Sequence, residues 1–141
     1  ELTFIQHALN DYHSGVPMEN IDDPYDMGTY AGALRTAVRN LKKVNPDMRI
    51  ILVSPTYTWY HQNGLNCEEF VRNGCILEDY VKEQELLAGE LGLEWIDLYH
   101  DFYAKHDWEE QKLYTEDGLH PNEASREKIA VKIADYLERN P

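Results

Sequence analysis

The stretch RIILVSP, residues 49–55, decides how this chain folds. It sets four apolar residues in succession, Ile50 to Val53, between the turn-forming NPD at 45–47 and Pro55. Apolar and polar residues do not alternate within it, so both faces of the strand should be buried. Strands buried on both faces are typical of parallel sheets that are covered by helices. The stretch therefore predicts an inner strand of an α/β domain.

Strand and helix patterns alternate on both sides of this stretch. Residues 1–7 and 93–99 are short runs rich in β-forming residues, and apolar residues recur at helical spacing within 27–44 and 77–91. A C-terminal helix is expected after Asn122, which is a favourable N-cap. The order β-α-β-α-β-α implies a parallel sheet with helices on its faces.

The composition is that of an acidic globular protein. The net charge of −13 repels phosphate backbones and anionic membranes, so neither nucleic acid nor a membrane is an expected partner. No apolar run approaches the ~20 residues of a membrane span. The length predicts one domain, residues 1–141. Cys67 and Cys75 follow no zinc-binding pattern, and we favour reduced thiols, although the cellular compartment stays open.

Asp117 and His120, in the loop DGLHPNEAS at 117–125, are the first candidates for chemistry. A histidine can accept and return a proton near neutral pH, and a carboxylate on its other nitrogen fixes its tautomer. The spacing alone is common, because Asp97 and His100 repeat it. The first pair lies in a connecting loop before a helix, whereas the second continues an apolar strand. A polar turn remains the alternative interpretation of either pair.

Asn10 is the next candidate, because it directly follows the first strand. Residues 8–17 carry Asn, Asp, Gly and Pro, so a loop is expected there. The Asn10 side chain could form an Asx turn, or its NH2 group could donate to a developing oxyanion.

A long aromatic loop is expected at 56–74. Its first half carries Tyr57, Trp59, Tyr60 and His61. Loops of this length are often functional, so these rings could form a substrate wall or a lid, or a small cluster that pins the loop. The candidates for substrate contact are Tyr12, Tyr57 and Trp59.

Two motifs of the chain resemble conserved blocks of the SGNH (GDSL-type) hydrolases. FIQHALNDY at 4–12 is similar to their third block, a strand followed by Gly-x-Asn-Asp, with Ala8 where the block usually has Gly. DGLHPNEAS is similar to their last block, Asp-x-x-His before the C-terminal helix. The blocks stand in the family's order on the expected elements, and the resemblance covers essentially the whole chain.

The resemblance implies a function and a set of roles. His120 would be the general base, Asp117 would orient it, and Asn10 would be an oxyanion donor. The family hydrolyses esters, often acetyl or other short acyl groups on carbohydrates, without a metal or another cofactor. Its Gly-Asp-Ser nucleophile block would lie upstream of Glu1. The chain would then be the C-terminal two-thirds of a serine esterase and inactive alone.

The resemblance also implies a three-layer α/β/α flavodoxin-like sandwich with a parallel sheet, incomplete because the first two strands are missing. LTFI at 2–5 would then lie at the edge of the sheet, with apolar side chains and unpaired backbone groups. Such an edge is a template for pairing with another chain. Besides a small-molecule ester substrate, we therefore expect a homodimer or a bound N-terminal fragment that covers this edge.

Two other functions stay open. A non-catalytic binding or interaction module would keep the fold and the cleft without chemistry. A metal-dependent phosphoesterase could use Asn10, Asp11, His13 and His120, although these residues are not spaced as a bridging metal cage. We expect no metal site.

Overall fold

A computed structural model describes residues 1–60, 64–100, 102–103 and 105–141. Its elements in chain order are β1 Leu2–Gln6, α1 Leu9–Ser14, α2 Tyr30–Val44, β2 Arg49–Val53, β3 Trp59–Tyr60, β4 Leu65–Asn66, α3 Leu77–Leu91, β5 Glu94–Ile96, α4 Trp108–Gln111 and α5 Glu123–Arg139.

The main sheet has three parallel strands in the order β1-β2-β5. Strand β2 lies in the middle, with Phe4 opposite Ile51 on one side and Leu52 opposite Trp95 on the other. The expectation of an inner strand at 49–55 is therefore confirmed. The connections from β1 to β2 and from β2 to β5 both contain a helix of 15 residues, α2 and α3, as the crossovers of a parallel sheet usually do.

Helices cover both faces of this sheet. Ile50 and Leu52 of β2 belong to a core shared with α2 and α3. Ile51 and Val53 point the opposite way, into a second core against which α5 packs. Residues i and i+1 of a strand face opposite sides, so the unbroken apolar run of β2 serves both cores. The three-layer α/β/α sandwich is confirmed.

Strand β1 lies at one edge of the sheet, since β2 is its only partner among the described residues. Its side chains alternate between exposed and half-buried, and Leu2 and Phe4 are 41% and 40% exposed. Phe4 stands opposite Ile51, so this exposed face lies on the same side of the sheet as α5. The predicted edge position of LTFI is thus what the structure has.

Some segments differ from the sequence-based expectation. Residues 9–14 form helix α1 instead of a loop, and part of the 56–74 loop is the antiparallel hairpin β3–β4. Helix α1 begins after Ala8, which has φ 117° and gives no side-chain cap, so the usual sequence signal of a helix start is missing. The third predicted strand is shorter than 93–99, and a helix of four residues, α4, interrupts the loop before Asp117.

The long helices and the cap of α5 agree with the sequence-based expectation. Helices α2 and α3 end and begin close to the predicted bounds, and the Asn122 side chain caps α5 by accepting from the Ser125 N–H at 3.1 Å. Cys67 and Cys75 are free thiols. Within the described ranges, no helix is long and apolar enough to cross a membrane.

Candidate active site

Asp117 and His120 form a compact hydrogen-bonded pair at the loop before α5. Oδ1 of Asp117 accepts from the backbone N–H groups of Leu119 and His120, at 2.9 and 2.8 Å. Its other oxygen, Oδ2, lies 2.6 Å from Nδ1 of His120. The carboxylate thus folds its own loop and holds the imidazole of His120 at the same time.

The loop itself is fixed by two further contacts. Oγ1 of the buried Thr115 accepts from the Gly118 N–H at 2.9 Å, and the Trp59 N–H of β3 donates to the Gly118 carbonyl at 3.0 Å. Gly118 has φ 85°, and a Cβ atom there would lie 2.1 Å from the Trp59 carbonyl oxygen. Only glycine allows this close approach. Thr115 was not among the sequence-based candidates, because its position two residues before Asp117 is only a weak turn signal.

The charge state of Asp117 follows from its donors. Partial burial acts to raise the pKa of this carboxyl, but the hydrogen bonds from His120 and Leu119 outweigh it and hold the pKa well below its usual range. The ionised carboxylate accepts from Nδ1–H of His120. In the neutral tautomer with this N–H, the lone pair of the ring lies on Nε2. The His120 side chain is 83% exposed, and no hydrogen-bond partner of Nε2 is found within the described ranges.

Asn10 and His120 line the same cavity. It has a volume of about 290 Å³ and lies at the carboxyl ends of β1 and β2, where open parallel sheets bind their ligands. Its walls comprise Gln6, His7, Ala8, Leu9, Asn10, Asp11, Pro55, Thr56, Leu119, His120 and Pro121. The exposed Asn10 side chain has no hydrogen-bond partner among the described residues, so its amide is free to donate into the cavity.

The second pair, Asp97 and His100, repeats this geometry with one difference. Oδ1 of Asp97 accepts from the N–H groups of Tyr99 and His100, and Oδ2 lies 2.8 Å from Nδ1 of His100. However, Nε2 of His100 lies 3.3 Å from Oε1 of Glu78, at the start of α3. Both ring nitrogens of His100 are therefore engaged by carboxylates, and neither His100 nor Asp97 lines the cavity.

The three predicted substrate contacts lie away from this cavity. Tyr12 and Tyr57 are fully buried, and the Tyr12 hydroxyl donates to the carbonyls of Cys67 and Phe70. Trp59 is half-buried on β3, and its backbone N–H donates to the Gly118 carbonyl in the loop between Asp117 and His120. The structure thus brings together His120, Asp117 and Asn10, but not these rings. His61 lies outside the described residues.

The described part of the chain contains no group of three or more His, Cys, Asp or Glu residues that could hold a metal ion. Two side chains of the phosphoesterase alternative have other neighbours. Asp11 lies 3.3 Å from Nε2 of His7, and the His13 ring packs against Tyr60 and Phe70. The pair of His7 and Asp11 was missed by the sequence analysis, although their i, i+4 spacing on either side of Asn10 is visible in it.

None of the three serines lies at the cavity. Ser54 is fully buried, and its hydroxyl oxygen accepts from the Leu98 N–H at 2.7 Å. Ser125 is also buried and shares a hydrogen bond with the Tyr103 hydroxyl. Ser14 ends α1. The described cavity walls therefore hold no serine hydroxyl beside His120.

Solved structures with the same fold are longer than this chain. One crystal structure aligns with a TM-score of 0.85 at 23% identity, and a protein from Lactobacillus plantarum with 0.81 at 24%. A protein from Chitinophaga pinensis described as a possible lipase aligns with 0.77 at 18%. Each alignment covers 98% of this chain but only 64%, 66% and 72% of the other one. At these identities the likeness shows the shared fold alone.

Sequence comparison identifies the family. A GDSL esterase/lipase from Arabidopsis thaliana is 31% identical over 100 residues, which are 64% of this chain and 40% of the relative. The sequence profile of the GDSL-like lipase/acylhydrolases matches residues 1–127. Since this match takes in every lining residue of the cavity and both motifs, the chain belongs to the GDSL-like lipase/acylhydrolase family.

Proposed function

We propose that the chain is part of a serine ester hydrolase for small or carbohydrate-linked acyl esters of the acetyl type. His120 is the general base, Asp117 orients it, and the Asn10 amide donates to the oxyanion of the tetrahedral intermediate. The observation that carries this proposal is the cavity that Asn10 and His120 share, with Nε2 of His120 free and Nδ1 held by Asp117.

The mechanism needs a serine hydroxyl beside Nε2 of His120. Nε2 takes the serine proton as the hydroxyl attacks the ester carbonyl, and returns that proton to the leaving alcohol. Meanwhile the Asn10 NH2 group donates to the carbonyl oxygen as it becomes negative. None of the chain's own serines lies at this cavity, so we propose that a segment upstream of Glu1 supplies the nucleophile. The chain spans 40% of its Arabidopsis relative, which leaves room for such a segment.

The cavity favours a short acyl group. Its volume of about 290 Å³ is at the lower end of ordinary ligand sites, and Ala8, Leu9, Pro55 and Leu119 give it apolar walls. A second groove, lined by Glu116, Glu123 and Arg126, begins on the other side of His120. This polar groove suits the alcohol half of the ester, which must leave next to the general base.

The test compares two forms of the protein on 4-nitrophenyl acetate. Residues 1–141 alone should give only weak hydrolysis, about 10³–10⁴ over water at most, because the nucleophile is absent. A form extended upstream of Glu1 should turn the ester over rapidly, and EDTA should not inhibit it. Rapid turnover by residues 1–141 that Ser14→Ala or Ser54→Ala abolishes would contradict the assignment of the nucleophile.

A non-catalytic binding module is the second candidate, and it is favoured by the lack of a serine beside His120 among the described residues. It predicts that the extended form hydrolyses none of a panel of acetyl, butyryl and acetylated-sugar esters. The same panel therefore separates the two proposals.

A further inference from the structure

The turn that leads into α1 has an unusual backbone. Ala8 has φ 117°, a conformation that L side chains rarely adopt, and it directly precedes the helix. Asn10 is only the second residue of this helix. The direction of the Asn10 amide therefore depends on the turn at Ala8. Alanine does not favour this backbone conformation, so other contacts must hold the turn in place.

One pair of side chains connects the two sides of this turn. Nε2 of His7, just after β1, lies 3.3 Å from Oδ2 of Asp11 in the first turn of α1. This contact closes a loop of the chain that contains residues 8–10, and so both Ala8 and Asn10. It adds to the first helical hydrogen bond, in which the Tyr12 N–H donates to the Ala8 carbonyl at 2.9 Å.

His7 is itself held by the core. Its ring stacks on the fully buried Tyr30, with the ring centroids 4.8 Å apart and the planes 14° from parallel. Its carbonyl accepts from Nε2 of the buried Gln84 at 3.2 Å. The ring also forms part of the cavity wall that Asn10 and His120 share. The bridge thus connects Asp11 to a fixed point of the domain.

The protonation of His7 fits this bridge. Burial lowers the pKa of the His7 imidazole, and the Asp11 carboxylate opposes the effect only in part. A neutral imidazole has one N–H, and the contact with Asp11 assigns it to Nε2. Nδ1 is buried without a hydrogen-bond partner among the described residues, so the ring has one polar contact and one orientation.

We propose that His7 and Asp11 are a positioning pair, which sets the place of the Asn10 amide by tying α1 to the end of β1. This inference rests on the proposed function, in which Asn10 is the oxyanion donor. Such a donor contributes only when it is already aimed at the developing charge, and a shift of about 1 Å can cost 10²-fold in rate. Neither residue needs to touch the substrate.

The first test is made on residues 1–141 by NMR, which needs no turnover. His7→Phe keeps a flat ring on Tyr30 and removes the N–H, whereas Asp11→Ala removes the acceptor and leaves the stacking intact. Both should lower the order parameter of the Asn10 backbone N–H from about 0.85 to below 0.6, because the start of α1 is no longer tied to the end of β1. Asp11→Asn keeps an acceptor oxygen and should restore the order. His13→Phe, on the same helix but outside the cavity, is the matched control and should change nothing.

If His7→Phe and Asp11→Ala both leave the order parameter of the Asn10 backbone N–H as high as in the wild type, the pair does not position Asn10. Should His7→Phe fail to fold, Asp11→Ala decides, because it leaves the core contacts of His7 in place.

The second test is a double-mutant cycle in the form that is extended upstream of Glu1, which is expected to hydrolyse esters. His7→Phe should lower kcat about 10-fold with KM within twofold, but by less than twofold when Asn10 is already Ala, because the pair acts through Asn10. Equal losses in both backgrounds, or a change in KM alone, would contradict the proposal. If the wild type hydrolyses no ester, the proposed function fails, and the NMR result still decides this inference.

Discussion

Nε2 of His100 lies 3.3 Å from Oε1 of Glu78, and this contact distinguishes the two Asp-x-x-His pairs of the chain. In both pairs the aspartate accepts two backbone N–H groups and holds Nδ1 of the histidine. A general base needs its second nitrogen free for the proton that it takes. Only His120 meets this condition, and only His120 lines the cavity with Asn10.

Because the backbone of Ala8 is strained in the turn before α1, we expect Ala8→Gly to stabilise the protein. Glycine adopts φ 117° readily, so the substitution should release about 1–3 kcal/mol of strain and cost roughly 1 kcal/mol in chain entropy. The net gain in the free energy of unfolding should be about 1 kcal/mol in urea titrations. Ala37→Gly, at an exposed site inside α2, is the control and should destabilise by a similar amount. A loss at both positions would show that the strain at Ala8 is smaller than the contribution of its buried methyl group and the lower chain entropy of alanine.

Strand β3 closely approaches the loop that holds Asp117 and His120. We therefore expect Gly118→Ala to have a large effect on stability. The new Cβ would lie 2.1 Å from the Trp59 carbonyl oxygen, so the loop that holds Asp117 and His120 must move. We expect a loss of at least about 3 kcal/mol in the free energy of unfolding, together with shifted NMR signals of His120. Gly74→Ala is the matched control, since Gly74 has φ 76° with no atom within 4 Å of its Cβ position. It should cost only about 1–2 kcal/mol.

The ion pair between β2 and β5 predicts how stability depends on pH. Nε and Nη2 of Arg49 lie 2.6 and 2.8 Å from the two carboxylate oxygens of Glu94, and these hydrogen bonds lower the pKa of Glu94. As pH falls below about 4, the unfolded chain takes up this proton before the folded one, so the stabilisation is present above that pH and lost below it.

Glu94→Gln should therefore lower the free energy of unfolding by about 1 kcal/mol at pH 7 and by much less at pH 3. Urea titrations at several pH values measure this difference. Glu138→Gln, at an exposed position of α5, should leave the wild-type dependence on pH unchanged. An equal loss at pH 7 and pH 3 would mean that the charge of Glu94 does not contribute.

We propose that another chain covers the edge of β1, either a second copy or a bound N-terminal fragment. Leu2 and Phe4 are exposed on a strand without a charged residue, proline or bulge to prevent pairing. Light scattering should then give a mass above 16.5 kDa, and Phe4→Lys should lower it. Leu86→Lys, at an exposed site of α3, is the control. A wild-type monomer of 16.5 kDa with nothing bound would refute this proposal.

The sequence predicted the features that depend on local patterns. The inner strand, the long helices and the cap at Asn122 follow from periodicity and end signals, and the parallel sheet follows from their order. Helix α1 was missed because Ala8 precedes it, so neither a capping side chain nor a glycine marks the start of the helix in the sequence. Tyr12 and Tyr57 were expected at the substrate, but an aromatic residue of the core has the same sequence signature as one in a cleft. The Glu78–His100 contact joins residues 22 positions apart and could be found only in the structure.

The most direct test of the assigned roles compares His120→Ala with His100→Ala in the ester-hydrolysing form on 4-nitrophenyl acetate. His120→Ala should lower kcat by about 10³-fold or more, because the serine loses its base, whereas His100→Ala should leave kcat within a few-fold. Both variants remove a histidine from the same Asp-x-x-His geometry, so general damage to the fold should be similar. An essential His100 with a dispensable His120 would contradict the account.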